Sequence, residues 1–184
     1  MSSDERASRL SYEESCRLLQ QLGYPDAGVE GTIPPMPDHL PQSDDEEPLG
    51  VSFFRTFVGE GDLENLTLPR AFFGRSEIGP LSFKNTDLSE SSLCWNDFNK
   101  VSFEDADLSG SDLRASLYNG VKFVRTNLKN ADLRVSTFNS CDFTDAGMQG
   151  VKLTREQADV LGLSDEQRNV IDWQESDGEE PPGG

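Results

Sequence analysis

Histidine and cysteine are scarce in this chain, which has one histidine and three cysteines in 184 residues. His39 lies in a proline-rich stretch, so the sequence cannot supply a Ser-His-Asp or Cys-His catalytic site or a histidine-based metal cluster. Cys16, Cys94 and Cys141 have wide, unpatterned spacings, which suit a reducing compartment and unpaired thiols. Glycine-rich phosphate-binding motifs are absent as well. We therefore expect no catalytic site, no metal and no cofactor.

Long apolar runs and a basic leader are also missing. No stretch approaches the 18 or more apolar residues that a membrane span needs. The first residues, Met1-Ser2-Ser3-Asp4-Glu5, are acidic and do not resemble a signal peptide. These absences predict a cytoplasmic protein that does not bind a membrane.

Acidic residues outnumber basic ones strongly, for a net charge of -18. The excess lies at the ends: residues 1–48 contain 11 acids and 3 bases, and residues 154–184 contain 9 and 2. Residues 49–153 are nearly balanced, with 14 acids and 11 bases. Acidic ends usually serve solubility. Because phosphate would be repelled, we expect no nucleic-acid partner.

A repeat of period five fills the centre of the chain. From Phe53 to Leu153, all 21 positions at this spacing are apolar, and the residue two places before each is mostly small. Helices repeat every 3.6 residues and flat strands every 2, so neither explains the pattern. A chain that turns a corner every five residues does explain it, and four such sides close a coil of 20 residues.

The central residues of the repeat fall into four columns of period 20, one for each side of the coil. The first side has Phe53, Phe73, Leu93, Leu113 and Leu133; the second has Val58, Ile78, Phe98, Tyr118 and Phe138; the third has Leu63, Phe83, Phe103, Phe123 and Phe143; the fourth has Leu68, Leu88, Leu108, Leu128 and Met148. Rings therefore stack on rings and leucines on leucines, as neighbour-only contacts require.

Several repeats resemble those of the pentapeptide-repeat family, which read A(D/N)LXX. The best matches are Asn85-Thr86-Asp87-Leu88, Asp105-Ala106-Asp107-Leu108 and Asn130-Ala131-Asp132-Leu133. The resemblance implies a mainly β fold, a right-handed four-sided β-solenoid of about five coils over residues 49–153. At a strand spacing of about 4.8 Å, five coils make a rod roughly 24 Å long.

The flanking segments differ from the repeat in composition. Residues 1–24 contain a short helix that Ser11 and Glu14 cap, and the proline-rich, acidic residues 25–48 form a linker. Residues 154–173 carry two further capping boxes, which predict a small C-terminal helical cap over the last coil. Residues 174–184 are predicted to be a disordered acidic tail. The protein is expected to be a monomer, or a homodimer through the cap.

One edge of the predicted solenoid gathers outward-facing apolar and arginine side chains. We name this the Arg/Trp edge; it comprises Phe57, Arg75, Trp95, Arg114, Leu117, Arg134 and Val135. Exposed aromatic and arginine groups together are typical anchors of protein interfaces. The alternative is that the N-terminal helix covers this edge through Leu18, Leu19 and Leu22.

These patterns favour a non-enzymatic scaffold that binds a protein partner of unknown identity. Two alternatives remain. The best-known pentapeptide-repeat proteins mimic DNA and protect DNA gyrase from quinolones, but no side of this solenoid carries a continuous acidic stripe. An immunity or antitoxin protein that sequesters a basic partner through its acidic ends would also fit the charge distribution.

Overall fold

The repeat folds into a β-solenoid in the computed structural model, which describes residues 7–24, 31–42, 50–59, 61–176, 178 and 181. All 21 central residues of the repeat are buried. Parallel strands and bridges pair residues exactly one coil, or 20 positions, apart, as Phe57 pairs with Glu77 and Asp132 with Lys152. The predicted mainly β, four-sided solenoid with short helical ends is confirmed.

The elements are short because a side has only five residues. The helices are α1 (Tyr12–Gln21), α2 (Arg155–Ala158) and α3 (Asp165–Arg168). The strands are β1 (Ser52–Phe54), β2 (Phe57–Val58), β3 (Phe72–Gly74), β4 (Glu77–Ile78), β5 (Leu81–Ser82), β6 (Asp97–Asn99), β7 (Val101–Ser102), β8 (Leu117–Asn119), β9 (Thr137–Asn139), β10 (Lys152–Thr154) and β11 (Asp172–Gln174). The second side forms a five-stranded sheet in the order β2-β4-β6-β8-β9.

The corners are residues in the left-handed backbone region. Fifteen non-glycine residues of the described chain have positive φ, and each lies two positions after a central residue of the repeat, from Arg55 at 47° to Asp145 at 56°. Such a conformation is uncommon outside glycine and is unfavourable for a β-branched residue such as Val135, at 60°. The closed coil imposes it, since each side must turn before the next can begin.

Small polar residues two places before the centres connect successive coils. Thr86 Oγ1 accepts a hydrogen bond from the Leu66 amide, one coil earlier, at 3.3 Å and donates to the Leu63 carbonyl at 2.6 Å. Ser116 likewise accepts from the Asn96 amide and donates to the Leu93 carbonyl. Asn96 accepts from the Ser76 amide and donates to the Phe73 carbonyl. A buried amide or carbonyl must be paired, and these side chains pair groups that the strands leave open. The small residues two places before the centres therefore supply hydrogen-bond partners for the backbone, in addition to leaving room for the large central side chains.

Aromatic rings stack along the second and third sides. Phe83, Phe103 and Phe123 lie with ring centroids 5.5 Å apart at each step, and Tyr118 lies 4.9 Å from Phe98. Rings of the two columns meet edge to face, as Tyr118 and Phe123 do at 5.6 Å. These are the preferred geometries of aromatic pairs, and they confirm the predicted columns.

The N-terminal helix closes the first coil. Cys16 and Leu19, on one side of α1, are fully buried in the core, and Ser15 Oγ accepts a hydrogen bond from the Thr67 amide at 2.9 Å. Just before α1, the Leu10 amide donates to the Asn65 carbonyl at 2.7 Å. Backbone groups of the terminal rung that would otherwise be open for edge pairing are thereby occupied.

Residues 31–42 of the predicted linker have neither helix nor strand, yet they contact the folded unit. The Pro34 carbonyl accepts a hydrogen bond from Tyr12 Oη, and the Pro37 carbonyl accepts one from Arg70, both at 2.8 Å. Pro37 and Pro41 are buried. Residues 25–30 and 43–48 of the predicted linker lie outside the described residues.

The solenoid continues beyond the five coils expected from the repeat and has about six turns. Residues 154–173 do not only cover the last coil: they wind around once more, so that β11 pairs in parallel with β10 and Trp173 lies beside Leu153. Helices α2 and α3 replace the strand segments of two sides. Gln174, assigned to the disordered tail, belongs to β11, whereas most of 175–184 lies outside the described residues.

Two glutamines complete the hydrogen bonding of the coil beneath α2 and α3. Gln157 Nε2 donates to the carbonyls of Leu133 and Ser136 at 2.8 and 3.0 Å, while its Oε1 accepts from the Thr154 amide in a capping box. Gln167 repeats the arrangement on the carbonyls of Phe143 and Ala146. Each amide therefore both caps its own helix and pairs carbonyls that would otherwise lack a donor.

Replacing Leu108 with lysine should unfold the solenoid. Leu108 is fully buried in the fourth side, and an unpaired charge there costs several kcal/mol against a total stability of about 5–15 kcal/mol. Thermal melting followed by circular dichroism measures the effect. Val124→Lys, at a half-exposed outward position, is the matched control and should melt like the parent. A Leu108→Lys protein that melts cooperatively near the parental temperature would contradict the core assignment.

Gln157→Glu should destabilise the last coil without removing the helix cap. Glutamate can still accept from the Thr154 amide, but its carboxylate cannot donate to the Leu133 and Ser136 carbonyls. Leaving these groups unpaired costs about 1–3 kcal/mol, measured as the free energy of unfolding in urea. The control is Gln149→Glu, which makes the same change at an exposed position. Equal stability of the two variants would show that the side-chain amide contributes only through the cap.

Candidate functional site

Five of the seven residues of the Arg/Trp edge lie on two adjoining columns at the corner between the first and second sides. Arg114 and Arg134 lie on the first side, one position before the corner. The corner column contains Arg55, Arg75, Trp95, Ala115 and Val135, all with positive φ. The neighbouring column, on the five-stranded sheet, is in register and contains Phe57, Glu77, Asp97, Leu117 and Thr137. The fold therefore places Trp95 and Val135 two rungs apart in the corner column, with Leu117 in the neighbouring column on the rung between them.

Trp95 projects from a corner whose backbone is fixed by hydrogen bonds. Its side chain is 60% exposed. The next residue, Asn96, is buried and donates from Nδ2 to the carbonyls of Cys94 and Phe73 at 2.9 and 3.0 Å. The Trp95 carbonyl accepts from the Arg75 amide at 2.9 Å. Because the backbone on both sides of Trp95 is fixed, the indole is presented with little backbone freedom left to lose on binding.

Arg75 adjoins Trp95 on the preceding rung. Together with Ser76, Glu77 and Asp97, these two residues line a shallow depression. Arg75 is exposed, and within the described part of the chain its guanidinium has no hydrogen bond or ion pair. A planar guanidinium beside an exposed indole can bind carboxylates or stack on a partner's side chain.

Phe57 is exposed, but it does not extend the apolar surface toward Trp95. Its ring lies over Gly59, just after the end of β2, where a Cβ atom would collide with it. The Arg75 and Glu77 rung separates it from Trp95. Although Phe57 is 66% exposed, it is therefore a separate feature of the second side rather than part of a continuous apolar strip.

Arg114 and Arg134 form bidentate ion pairs on the first side. Arg114 donates to Asp112 at 2.7 and 2.8 Å, and Arg134 donates to Asp132 at 2.7 and 2.9 Å. Arg114 Nε also lies 3.7 Å from an oxygen of Asp132. Burial alone would raise the pKa of Asp112, but the hydrogen bonds and charge of Arg114 hold it below its ordinary value. The arginines are thus held flat, with their charges balanced.

Cys94 lies beside this ion-pair ladder and is buried. Burial raises the pKa of its thiol strongly, and the neighbouring Asp112 raises it further. Since the thiolate is the nucleophilic form, this thiol stays protonated at neutral pH. Cys141, predicted to be in the core, is half-buried and donates to the Tyr118 carbonyl at 3.3 Å.

Beyond Val135 the edge opens into a cleft of about 340 Å³. The cleft exists because α2 replaces the strand that would have continued the second side beyond β9. It is lined by Arg134, Val135, Ser136, Thr137, Phe138, Asn139, Thr154, Glu156, Gln157, Val160, Glu175, Ser176 and Pro181. Val160, 68% exposed, extends the apolar surface past Val135.

The N-terminal helix does not cover the Arg/Trp edge, so that alternative is wrong. Leu19 is buried at the end of the first coil, Leu18 packs against the core, and Leu22 is 54% exposed. The hydrogen bonds from Leu10 and Ser15 go to the third and fourth sides, at Asn65 and Thr67. Tyr24, just after α1, packs edge to face on the buried ring of Phe53. The helix and the residues before it instead occupy backbone groups of the terminal rung that would otherwise be open.

The other sides show paired charges and polar ladders. Arg125 pairs with Asp105 at 2.9 Å, and Asn99, Asn119 and Asn139 form a side-chain amide ladder on the second side. Asp87 accepts a hydrogen bond from the Ser89 amide at 2.9 Å. Among the described residues no cluster of His, Cys, Asp and Glu suits a metal ion, and no helix is long and apolar enough to cross a membrane.

The cleft and Val160 were missed in the sequence. The signal was present: Ala158, Leu163 and Trp173 continue the period of five, and Leu161 and Ile171 continue the second series. All except Trp173 are buried. The capping boxes predict helices over the same residues, and a helical interpretation does not include the additional coil or the gap beside β9.

The family model of pentapeptide repeats matches residues 82–114 and 119–155, with eight copies of the repeat. No curated protein matches the sequence significantly.

Solved structures with a similar fold include pentapeptide-repeat proteins. HetL from the cyanobacterium Nostoc, involved in the regulation of heterocyst differentiation, is 17% identical with a TM-score of 0.53. The match covers 55% of this chain and 48% of HetL, so this chain matches about half of that protein's length.

Two further structures match with lower TM-scores. A protein from the Arabidopsis thaliana thylakoid lumen is 23% identical with a TM-score of 0.42, and the match covers 67% of this chain and 81% of that one. QnrB1, a plasmid-mediated fluoroquinolone resistance protein, is 9% identical with a TM-score of 0.38, over 56% of this chain and 63% of that one. At these identities the likeness concerns the fold. The matching repeat model, the register of 20 and the buried central residues show that the solenoid of this chain is built from the repeats of the pentapeptide-repeat family.

Proposed function

We propose that this protein is a non-enzymatic scaffold that binds another protein through the Arg/Trp edge. The observation that carries the proposal is the 60% exposure of Trp95 on a rigid corner. The apolar surface that begins at Trp95 continues along the same corner through Ala115 to Val135, with Leu117 beside it on the sheet. Large aromatic side chains with arginine neighbours are the residues on which interfaces most often depend.

The ion pairs of Arg114 and Arg134 support a protein partner rather than a polyanion. Both guanidiniums are already neutralised by Asp112 and Asp132, so they add little long-range attraction for phosphate. They do present flat guanidinium surfaces, which suit stacking contacts with a partner's side chains. Arg75, whose charge is not paired within the described residues, is the cation that a partner's carboxylate could reach.

The alternatives lead to different assays. A gyrase-directed DNA mimic needs a continuous acidic surface, and the described sides instead alternate acids with arginines and lysines, as in the Arg125–Asp105 pair. A gyrase supercoiling assay with and without the protein tests that role directly. Sequestration of a basic partner through the acidic ends would depend on salt, since only the charge contacts are screened. Cytoplasmic location and a monomeric or cap-mediated dimeric state belong to the same proposal.

Trp95→Ala with Leu117→Glu should abolish capture of a partner from an extract of the native host. A desolvated tryptophan anchor contributes 2 kcal/mol or more to an interface, whereas outward side chains contribute little to the core. The melting temperature should therefore stay close to the parental value. Bound proteins are compared by quantitative mass spectrometry across the parent, this variant and Val124→Glu, a control on the third side.

The proposal requires a protein that the parent and the Val124→Glu control retain and the edge variant loses. Retention of every captured protein by the edge variant would overturn the assignment of this edge. Acrylamide quenching of Trp95 fluorescence, in a Trp173→Phe background, checks that the indole is open to solvent in the free protein.

A further inference from the structure

Strand β9 is an edge of the five-stranded sheet. Alternate residues of a parallel strand direct their backbone amide and carbonyl to the same neighbouring strand. On this side of the rod, the Thr137 amide donates to the Ser116 carbonyl, in the previous coil, at 3.0 Å. The Gly120 amide donates to the Asn139 carbonyl, in the next coil, at 2.8 Å. Even-numbered residues of this side therefore face the next coil, and Phe138 directs its backbone groups away from β8.

No strand continues the sheet beyond β9, and one residue of the edge is left open as a result. The Ser136 carbonyl is paired, because it accepts from Gln157 Nε2 at 3.0 Å. The Phe138 amide and carbonyl and the Ser140 amide have no hydrogen-bond partner among the residues that the structure describes. The ring of Phe138 is stacked on Tyr118 in the core, so it is the backbone of Phe138 that lines the cleft. The edge thus offers two donors and one acceptor.

The charges around the cleft favour a basic occupant. Glu156, on α2, and Glu175, just after β11, both line the cleft, and neither makes an ion pair with another residue of the described ranges. Arg134, which also lines it, is already neutralised by Asp132 at 2.7 Å. Residues 177–184 of the chain itself contain three acids and no base. A basic segment therefore complements the two glutamates, whereas the chain's own acidic end does not.

We propose that β9 binds an extended, basic peptide segment of a partner protein, which adds a strand to the sheet and lies in the cleft. In strand addition, main-chain hydrogen bonds supply affinity and alternate side chains supply specificity. The open groups of Phe138 and Ser140 supply the main-chain bonds. Glu156 and Val160, four residues apart, both line the cleft, and Val160 is 68% exposed. The side chains of the peptide that face α2 are accordingly one basic and one apolar.

A defined peptide tests the proposal on the full-length protein. The probe is the fluorescein-labelled heptapeptide Lys-Thr-Val-Thr-Lys-Thr-Val, and its binding is measured by fluorescence anisotropy. Amides of alternate residues point to opposite edges of an extended strand, so strand addition uses only one set of them. N-methylation of that set, either the lysine and valine amides or the threonine amides, should weaken binding by about tenfold or more. N-methylation of the other set should leave binding unchanged.

Charge variants of the protein test the basic character of the occupant. Glu156→Gln with Glu175→Gln should weaken binding of the heptapeptide about threefold or more at low salt, and the difference should shrink as salt is added. The matched control is Glu166→Gln with Asp172→Asn, which removes the same charge at two exposed positions outside the lining of the cleft. The control should bind like the parent.

Amide hydrogen exchange followed by NMR locates the added strand. In the free protein the Phe138 amide should exchange faster than that of Tyr118, which occupies the equivalent position one coil earlier. With the peptide bound, the amides of Phe138 and Ser140 should be slowed about tenfold or more. The Gly120 amide, already bonded to the Asn139 carbonyl, is the internal reference.

Absence of binding overturns the proposal, as does a peptide whose affinity falls with both N-methylated sets or with neither. Protection that omits Phe138 and Ser140 also overturns it. The same titration with a chain that ends at Ser176 tests the other occupant: if only the shortened protein binds the peptide, the edge belongs to the chain's own C-terminal residues and the proposal is wrong. Trp95 and Leu117 are unchanged throughout, so this outcome is separate from that of the partner-capture experiment.

Discussion

The whole architecture depends on one constraint, which is that each residue must lie one strand spacing from the residue 20 positions away. Most backbone amides and carbonyls of a coil find their partners in the coils before and after it, as in the bonds of Leu108 to Asn127 and Leu128 to Gly147. The same constraint forces ordinary residues such as Trp95 and Val135 into left-handed corners. Hydrogen bonding and ring stacking along the rod offset that local cost, because each coil that obeys the register extends every column at once.

The ends of the rod show what happens where the register stops. At the first coil, α1 and the residues before it supply the missing partners through Leu10 and Ser15. At the last coils, Gln157 and Gln167 reach back with their side-chain amides. The two ends of the rod differ in the surface that results. At the N-terminal end, α1 covers the core with buried apolar side chains. At the C-terminal end, α2 leaves a cleft beside β9.

Most of the fold could be predicted from the sequence because a period of five repeated 21 times has only one compact interpretation. The columns, the buried centres and the position of Trp95 all follow from counting. The orientation of individual side chains did not follow: Phe57 turns back over Gly59, and Phe72, at an outward position, is buried. Nor did the contacts of residues 31–42, since proline-rich sequence reads as linker whether or not it packs on a neighbour. Periodicity specifies which side a residue faces, but not what non-repeating segments place on that side.

The left-handed corners have a consequence for how such a surface can change over evolutionary time. Inserting or deleting five residues preserves every local rule, including the corner, the small residue and the buried centre, yet it rotates all later coils by a quarter turn. Trp95 and Val135 would then face different directions, although each would still be correctly folded. An insertion of 20 residues keeps them aligned and moves them about 4.8 Å further apart. Fold integrity in this chain therefore tolerates length changes in units of five, whereas the continuity of its outer surface tolerates them only in units of 20.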